Sequence, residues 1–243
     1  MSGSRLPASQ QLTDQVQRFV QAALDLLFPP RCVGCRRPGS DLCPTCLAAL
    51  PQLAEPLCPV CAQPTSAPGL CARCAARRPA FERVTSAYVY TGAARQAILA
   101  LKFRGRRGLA PVLARAAAVA LPIPTGSFVL CAVPMHPTRR AERGYNHARL
   151  LAEGLSVAWG LPLLPEDALR RVAHTPQQAR LDYDARLANV SSAFQAEAQR
   201  VAGCDVLLVD DVCTTGATLN ACAGVLLAAG AARVEGLTIA RTP

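Results

Sequence analysis

Lysine, aromatic residues and acidic charge in the middle of the chain are all scarce in this sequence of 243 residues. Lys102 is the sole lysine, so positive charge rests almost entirely on arginine. Aromatics make up 5% of residues, which leaves Ala, Leu and Val to supply most of the apolar surface, a balance suited to helices and buried strands. Between Arg73 and Arg149 only two acids, Glu82 and Glu142, face fourteen Lys/Arg. The local net is +12 in a chain whose total is +10, so the remaining segments together are slightly acidic. No polar-to-apolar leader with a small-residue cleavage site opens the sequence. The one long uncharged run, 116–138, is broken by "PIPTG" and reads as helix, turn and buried strand instead of a membrane span. A soluble, cytoplasmic protein is expected, at most peripheral at the inner face of the membrane.

Hydrophobic residues make up 51% of the chain, which excludes a disordered polymer. The length allows one sizeable core plus a small accessory module. The basic central block has two readings: a solvated arginine-rich surface, or a face for a polyanion such as nucleic acid or clustered phosphates.

Cysteine, by contrast, is abundant. Eight of twelve fall in Cys-x2-Cys knuckles: Cys32/Cys35, Cys43/Cys46, Cys58/Cys61 and Cys71/Cys74. Two thiolates three positions apart on a tight turn can grip one ion, and a second knuckle completes a tetrahedral site. Four knuckles therefore predict two structural zinc sites, since a disulfide framework would need an oxidising compartment. The short gaps favour sequential pairing, first four with first four, over an interleaved one. Loaded with two Zn²⁺, the eight thiolates would bring the net charge from +10 to about +6, which the basic block survives. Cys131, Cys204 and Cys222 read as small core residues.

Along the chain, Leu12, Val16, Phe19, Val20, Ala23, Leu24 and Leu27 have helical spacing, stopped by Pro29-Pro30. The predicted organisation is an N-terminal amphipathic helix over 1–30, a double zinc ribbon over 31–80 and a larger domain over 81–243. In the last, strands at "VTSAYVY", "FVLCAVP", "DVLLVDD" and "VEGLTIA" alternate with helices at "GAARQAILALKF", Leu109 to Leu121, Asn146 to Trp159 and Thr218 to Ala229. Alternation with nearly continuous apolar strands predicts an α/β fold with a mostly parallel, doubly wound sheet, whose ligands bind beyond the carboxyl ends of the strands.

Two segments fall at those ends. In "VLLVDDVCTTGATL" (Val206 to Leu219) a buried strand delivers Asp210 and Asp211, and a glycine-containing loop then opens a helix. The unpaired N–H groups of Cys213, Thr214, Thr215, Gly216, Ala217 and Thr218 suit an anion, and Gly216 allows close backbone approach. Carboxylates beside an anion cradle are consistent with a 5-phosphorylated ribose, which offers phosphate to the loop and vicinal hydroxyls to the acids; the plainer alternative is that both acids cap helix and loop. The second segment, "PMHPTRRAERGYN", carries His136, Arg139, Arg140 and Arg143.

"VLLVDDVCTTGAT" closely resembles the phosphoribosyl-pyrophosphate (PRPP) signature of type I phosphoribosyltransferases. The four knuckles, "LKFRGRR", "VPMHPTRRAERGYNHA", "HTPQQARLDYDARLANVSSAF" and "GLTIART" extend the resemblance over nearly the whole chain, to the ComF/ComFC family of competence-associated phosphoribosyltransferase-like proteins. That resemblance implies a type I phosphoribosyltransferase-like sheet, with a hood over 163–200 that includes Gln178, Arg186 and Asn189. It implies Asp210 and Asp211 as the catalytic pair facing the ribose hydroxyls, and residues 213–218 around the 5-phosphate. His136, Arg139, Arg140 and Arg143 would contact pyrophosphate, with Mg²⁺ bridging it to the ribose.

Two function classes follow. One is a protein that binds PRPP and handles single-stranded DNA in competence, with the DNA-uptake machinery as partner and Lys102, Phe103, Arg104, Arg106 and Arg107 on the nucleic acid. The other is an active phosphoribosyltransferase of nucleotide or related metabolism, with no DNA role and an acceptor that sequence does not name. In the 6-oxopurine enzymes an acid stands three residues after the acidic pair; Thr214 stands there in this chain, so no proton acceptor for a purine is offered.

Overall fold

The computed structural model describes residues 29–172 and 193–243. The amphipathic pattern from Leu12 to Leu27, and Gln178, Arg186 and Asn189, lie outside the described residues. The cysteine-rich segment contributes two short helices, α1 (Pro44–Ala48) and α2 (Ala72–Ala76). Then follow β1 (Val84–Val89), α3 (Gly92–Phe103), α4 (Leu109–Ala120), β2 (Phe128–Ala132), α5 (Pro137–Arg143) and α6 (His147–Trp159). A small antiparallel pair, β3 (Leu169–Arg171) with β4 (Phe194–Ala196), precedes α7 (Ala198–Val201). The chain closes with β5 (Asp205–Cys213), α8 (Ala217–Ala228) and β6 (Arg233–Arg241).

The main sheet has order β1-β6-β5-β2 and every pairing is parallel. β5 and β6 lie at its centre and are buried along almost their entire length, as strands covered on both faces must be. Successive side chains on a strand point to opposite faces. Leu207 and Val209 accordingly join a core with Ile98, Leu101, Leu113, Leu151 and Leu155 from α3, α4 and α6. Val206 and Leu208 join a second core with Leu219, Cys222 and Leu226 of α8 and with Phe81, Val60 and Cys74. The doubly wound α/β arrangement expected from the alternating pattern is present, and the run 116–138 resolves into the end of α4, a loop and β2. The described part of 163–200, expected as the hood, holds β3 and β4, whose three residues each are too short to show a period in the sequence.

α4 and α6 pack without room between them. A Cβ on Gly154 would come within 2.6 Å of the Ala114 Cβ. Alanine normally improves a helix interior over glycine by about 1 kcal/mol. Here Gly154→Ala is expected to lower stability by about 1–3 kcal/mol through overpacking, measured by thermal or urea denaturation; a rise in Tm would contradict this packing.

Candidate functional site

The knuckles gather sequentially. The sulfurs of Cys32, Cys35, Cys43 and Cys46 lie within 4.8 Å of one another, as do those of Cys58, Cys61, Cys71 and Cys74. Cys35 and Cys43 are 3.6 Å apart, and so are Cys61 and Cys71. Four sulfurs at a Zn–S distance of about 2.3 Å stand about 3.8 Å from each other, so both groups fit a tetrahedral ion. The two units are built alike. In each, the residue after the first knuckle adopts a left-handed backbone, Arg36 at φ 64 and Ala62 at φ 55. A small antiparallel bridge flanks it, Arg31 with Pro38 and Leu57 with Pro64. The second knuckle starts a one-turn helix whose N-cap is a ligand, Cys43 or Cys71. Burial alone would raise the Cys32 and Cys58 thiols, but backbone N–H groups bring both down to about 6. Those donors are Cys43, Cys35 and Gly34 for the first and Cys71, Cys61 and Val60 for the second. These thiols are prepared to be thiolates.

At the carboxyl end of β5 the two acids part company. Asp211 is buried, with its Oδ2 2.5 Å from the Lys102 Nζ and its Oδ1 3.5 Å from the His147 Nε2. Burial would raise its carboxyl, but the hydrogen bond and charge of His147, then Lys102, hold it well below the usual range. Asp210 is half-buried and accepts the Asp211 backbone N–H at 2.8 Å. Burial first, then the Asp211 charge, pushes its carboxyl well above the ordinary value. The acids are therefore not equivalent: Asp211 braces α3 and α6 against the sheet, and Asp210 makes neither contact.

The chain then turns through Thr214, Thr215 and Gly216 into α8. Gly216 sits at φ 78, where a side chain is strained, and it caps α8 without a side-chain hydrogen bond. Thr214, Thr215, Ala217 and Thr218 are exposed, while Cys213 is buried. The Ala217 N–H donates to the Thr215 Oγ1 at 3.3 Å, and this helix start stands at the carboxyl edge of the sheet.

β2, the strand beside β5, leads to the other segment. Residues 137–143, for which the sequence reading named no element, form α5, capped by the His136 imidazole accepting the Thr138 N–H at 3.2 Å. Arg139 is exposed, Arg140 is 2.6 Å from Glu166, and the Arg143 guanidinium lies 4.6 Å from the Phe103 ring centre. A cavity of about 320 Å³ opens here, lined by Met135, Arg140, Arg149 and Arg171 among others.

The expected nucleic-acid residues divide. Phe103 is 64% exposed, and Arg104 and Arg107 are exposed beside it. Arg106 pairs with Asp41 of the first cysteine unit. Lys102 faces inward to Asp211, so its charge is spent within the fold. Arg31, Arg36, Arg104 and Arg106 line a groove of about 460 Å³ between that unit and α3.

Residues 23–75 match the double zinc ribbon domain family. The chain is 33% identical over 235 residues to the DNA utilization protein YhgH of Salmonella typhi, covering 89% of this chain and 99% of that one. It is 28% identical over 215 residues to the competence protein ComFC of Bacillus subtilis, covering 85% and 86% respectively. The chain belongs to the ComF family. A solved structure of glutamine PRPP amidotransferase from B. subtilis, in complex with ADP and GMP, is similar over 58% of this chain and 30% of its own, at 19% identity and a TM-score of 0.39. Among the described residues of this ComF chain no helix is long and apolar enough to cross a membrane.

Sequence reading passed over three contributors: His147 on Asp211, Arg73 on the Thr215 carbonyl at 2.8 Å, and Arg241 on Cys213 at 2.8 Å. His147 carries a faint signal, being one of three histidines and the first residue of a helix capped by Asn146. The two arginines carry none, because their partners are 142 and 28 residues distant.

The asymmetry of the acids gives opposite expectations. Asp211→Asn strands the Lys102 ammonium and should cost about 3 kcal/mol at neutral pH, whereas Asp210→Asn should leave stability equal or higher. A depressed carboxyl stabilises above the ordinary carboxylate range and loses that contribution as pH falls through its folded value; a raised one stabilises below that range and loses it as pH rises. Acid denaturation should therefore flatten in Asp211→Asn, and the neutral-pH gain should belong to Asp210→Asn; the reverse ranking would contradict the ion-pair assignment. Stripping zinc with a chelator should unfold 32–74, seen as rapid amide exchange there, and an unchanged segment after verified metal loss would contradict a structural role.

Proposed function

We propose that this chain binds PRPP with Mg²⁺ at the carboxyl edge of its sheet and handles single-stranded DNA on the adjoining basic surface. The observation that carries the reading is the conjunction of a left-handed Gly216 loop opening α8 with a half-buried Asp210 one turn of chain away, both at the end of the central strand. The N–H groups of Cys213 to Thr218 receive the 5-phosphate, and Asp210 receives the ribose hydroxyls. His147, Asp210 and Asp211 bring ligand atoms within 4.8 Å of each other, but the Lys102 ammonium already occupies Asp211. Asp210, giving up its proton as the cation arrives, is thus the protein group that would hold Mg²⁺ alongside substrate oxygens and water. When bound, the ion supplies charge neutralisation for pyrophosphate. His136, Arg139, Arg140 and Arg143, on or beside α5, would face the same group, Arg140 by leaving Glu166 and Arg143 from its place over Phe103.

The DNA reading is supported by the relatives, a DNA utilization protein and a competence protein, and by the surface itself. Phe103 offers an exposed ring, and Arg104, Arg107, Arg31 and Arg36 surround it and the neighbouring groove. With so few aromatics, phosphate contacts should dominate affinity. Turnover is the second reading: Thr214 is exposed at the mouth of the loop and offers no general base, so an acceptor would need to arrive already nucleophilic.

Calorimetric titration with Mg²⁺-PRPP should show binding to the wild type and none to Asp210→Ala. Absence of binding to the wild type would remove the proposal, and pyrophosphate release across candidate acceptors tests turnover. Affinity for a single-stranded oligonucleotide should fall steeply with salt, and Phe103→Ala should weaken it about tenfold; a flat salt response would remove the DNA reading.

A further inference from the structure

The two zinc ribbons are near copies, yet they touch different parts of the larger domain. The first lies along α3: Gly34 packs against Ala93, and Asp41 pairs with Arg106. The second lies against the loop between β5 and α8. Arg73, standing between ligands Cys71 and Cys74, donates to the Thr215 carbonyl at 2.8 Å. The Ala80 N–H donates to the Asn220 side chain of α8 at 2.6 Å, and the Val84 N–H to the Val60 carbonyl at 2.8 Å. The Phe81 ring lies 3.6 Å from where a Cβ of Gly216 would stand.

Arg241 completes this contact. It is fully buried at the end of β6, and its Nη1 is 2.8 Å from the Cys213 sulfur. Its Nη2 reaches the Gln63 Oε1 at 2.7 Å and the sulfur of ligand Cys61 at 3.8 Å. No carboxylate pairs with it among the described residues, and its Nε has no acceptor. A buried guanidinium needs a counter-charge. Four thiolates around one Zn²⁺ carry two negative charges in excess, and Cys61 is the one of them that the guanidinium reaches.

We infer that the second zinc ribbon is a positioning element for the Cys213–Thr218 loop: its metal–thiolate group is the counter-ion of Arg241, and Arg241 with Arg73 holds the loop in its ligand-ready shape. This rests on the reading of that loop as a phosphate cradle. Among the described residues the first ribbon has no such link, so the two metal ions do different work. Because coupling between sites is reciprocal, a phosphoribosyl ligand in the loop tightens metal binding in the second ribbon and not in the first.

Hydrogen–deuterium exchange on the full-length protein carrying two zinc ions tests the coupling without any ligand. Arg241→Gln should speed exchange across 213–218 about tenfold, the scale of one lost charge-assisted hydrogen bond, with both zinc ions retained. Arg241→Lys should restore part of the protection. Cys61→Ser should loosen the loop and Cys35→Ser should not. Should Arg241→Gln fail to fold, Arg73→Ala at the surface should still accelerate exchange there about threefold. Wild-type exchange in the arginine variants, or equal loosening by both cysteine variants, overturns the inference. In a second arm, Mg²⁺-PRPP should bind Arg241→Gln about tenfold more weakly and lower the equilibrium transfer of one of two zinc ions from the wild type to a chelating dye. Equal affinity, or transfer unchanged when PRPP is bound, also overturns it. A wild type that binds no PRPP but shows the exchange pattern sinks the ligand assignment and leaves the positioning role standing.

Discussion

A carboxylate buried at the end of a central strand is expensive unless it is paired and hydrogen-bonded, and Asp211 meets the Lys102 ammonium and the His147 imidazole. Lys102 comes from the last turn of α3 and His147 from the first residue of α6, so one acid ties two helices to β5. The geometry of the carboxyl edge depends on that knot. It fixes where α6 begins, and with it the approach of Asn146, which caps α6 and donates to the Val133 carbonyl at the end of β2. It also fixes the neighbouring acid by contrast: with Asp211 held ionised, Asp210 is pushed toward its neutral form. Two adjacent residues of one type thus become an ionised brace and a carboxyl held toward its neutral form, because a strand turns them to opposite faces.

The cysteine units show duplication used unevenly. Each is closed by its own four sulfurs and needs nothing from the body of the protein to bind its ion. What differs is the residue set between and after the ligands. Arg31 and Arg36 give the first unit one wall of a basic groove. Arg73 and Gln63 give the second unit its hold on the β5–α8 loop and on Arg241. A small module with little core of its own gains rigidity from metal, and the larger domain gains rigid walls at two places.

The basic block is likewise subdivided. Part is consumed inside the fold, Lys102 by Asp211 and Arg106 by Asp41. Part stacks on rings, Arg107 on Tyr145 and Arg143 on Phe103. Part pairs with acids or backbone, Arg83 with Glu235, Arg140 with Glu166, Arg149 with Glu153 and Arg73 with the Thr215 carbonyl, while Arg104 and Arg139 stand exposed where phosphate could meet them. A net charge measures the sum of these uses and says nothing of their division, which is why the count of fourteen cations overstates the surface available to a polyanion.

The sequence by itself determined the local features. Knuckle spacing announced two four-sulfur sites, apolar runs announced the four parallel strands, and Gly216 after two threonines announced a tight loop at a helix start, because each is dictated by neighbours within a few residues. It also carried the family, since the motifs are long and distinctive. Only the tertiary structure decided which acid is free, which ribbon faces which element and where Arg73 and Arg241 point. Those outcomes join residues far apart in the chain, and α5 joins them in kind, its helix set by a Pro137 start and a His136 cap that a basic, irregular-looking stretch conceals. Periodicity reports which side of an element is buried; it holds no record of the charge waiting on the other side.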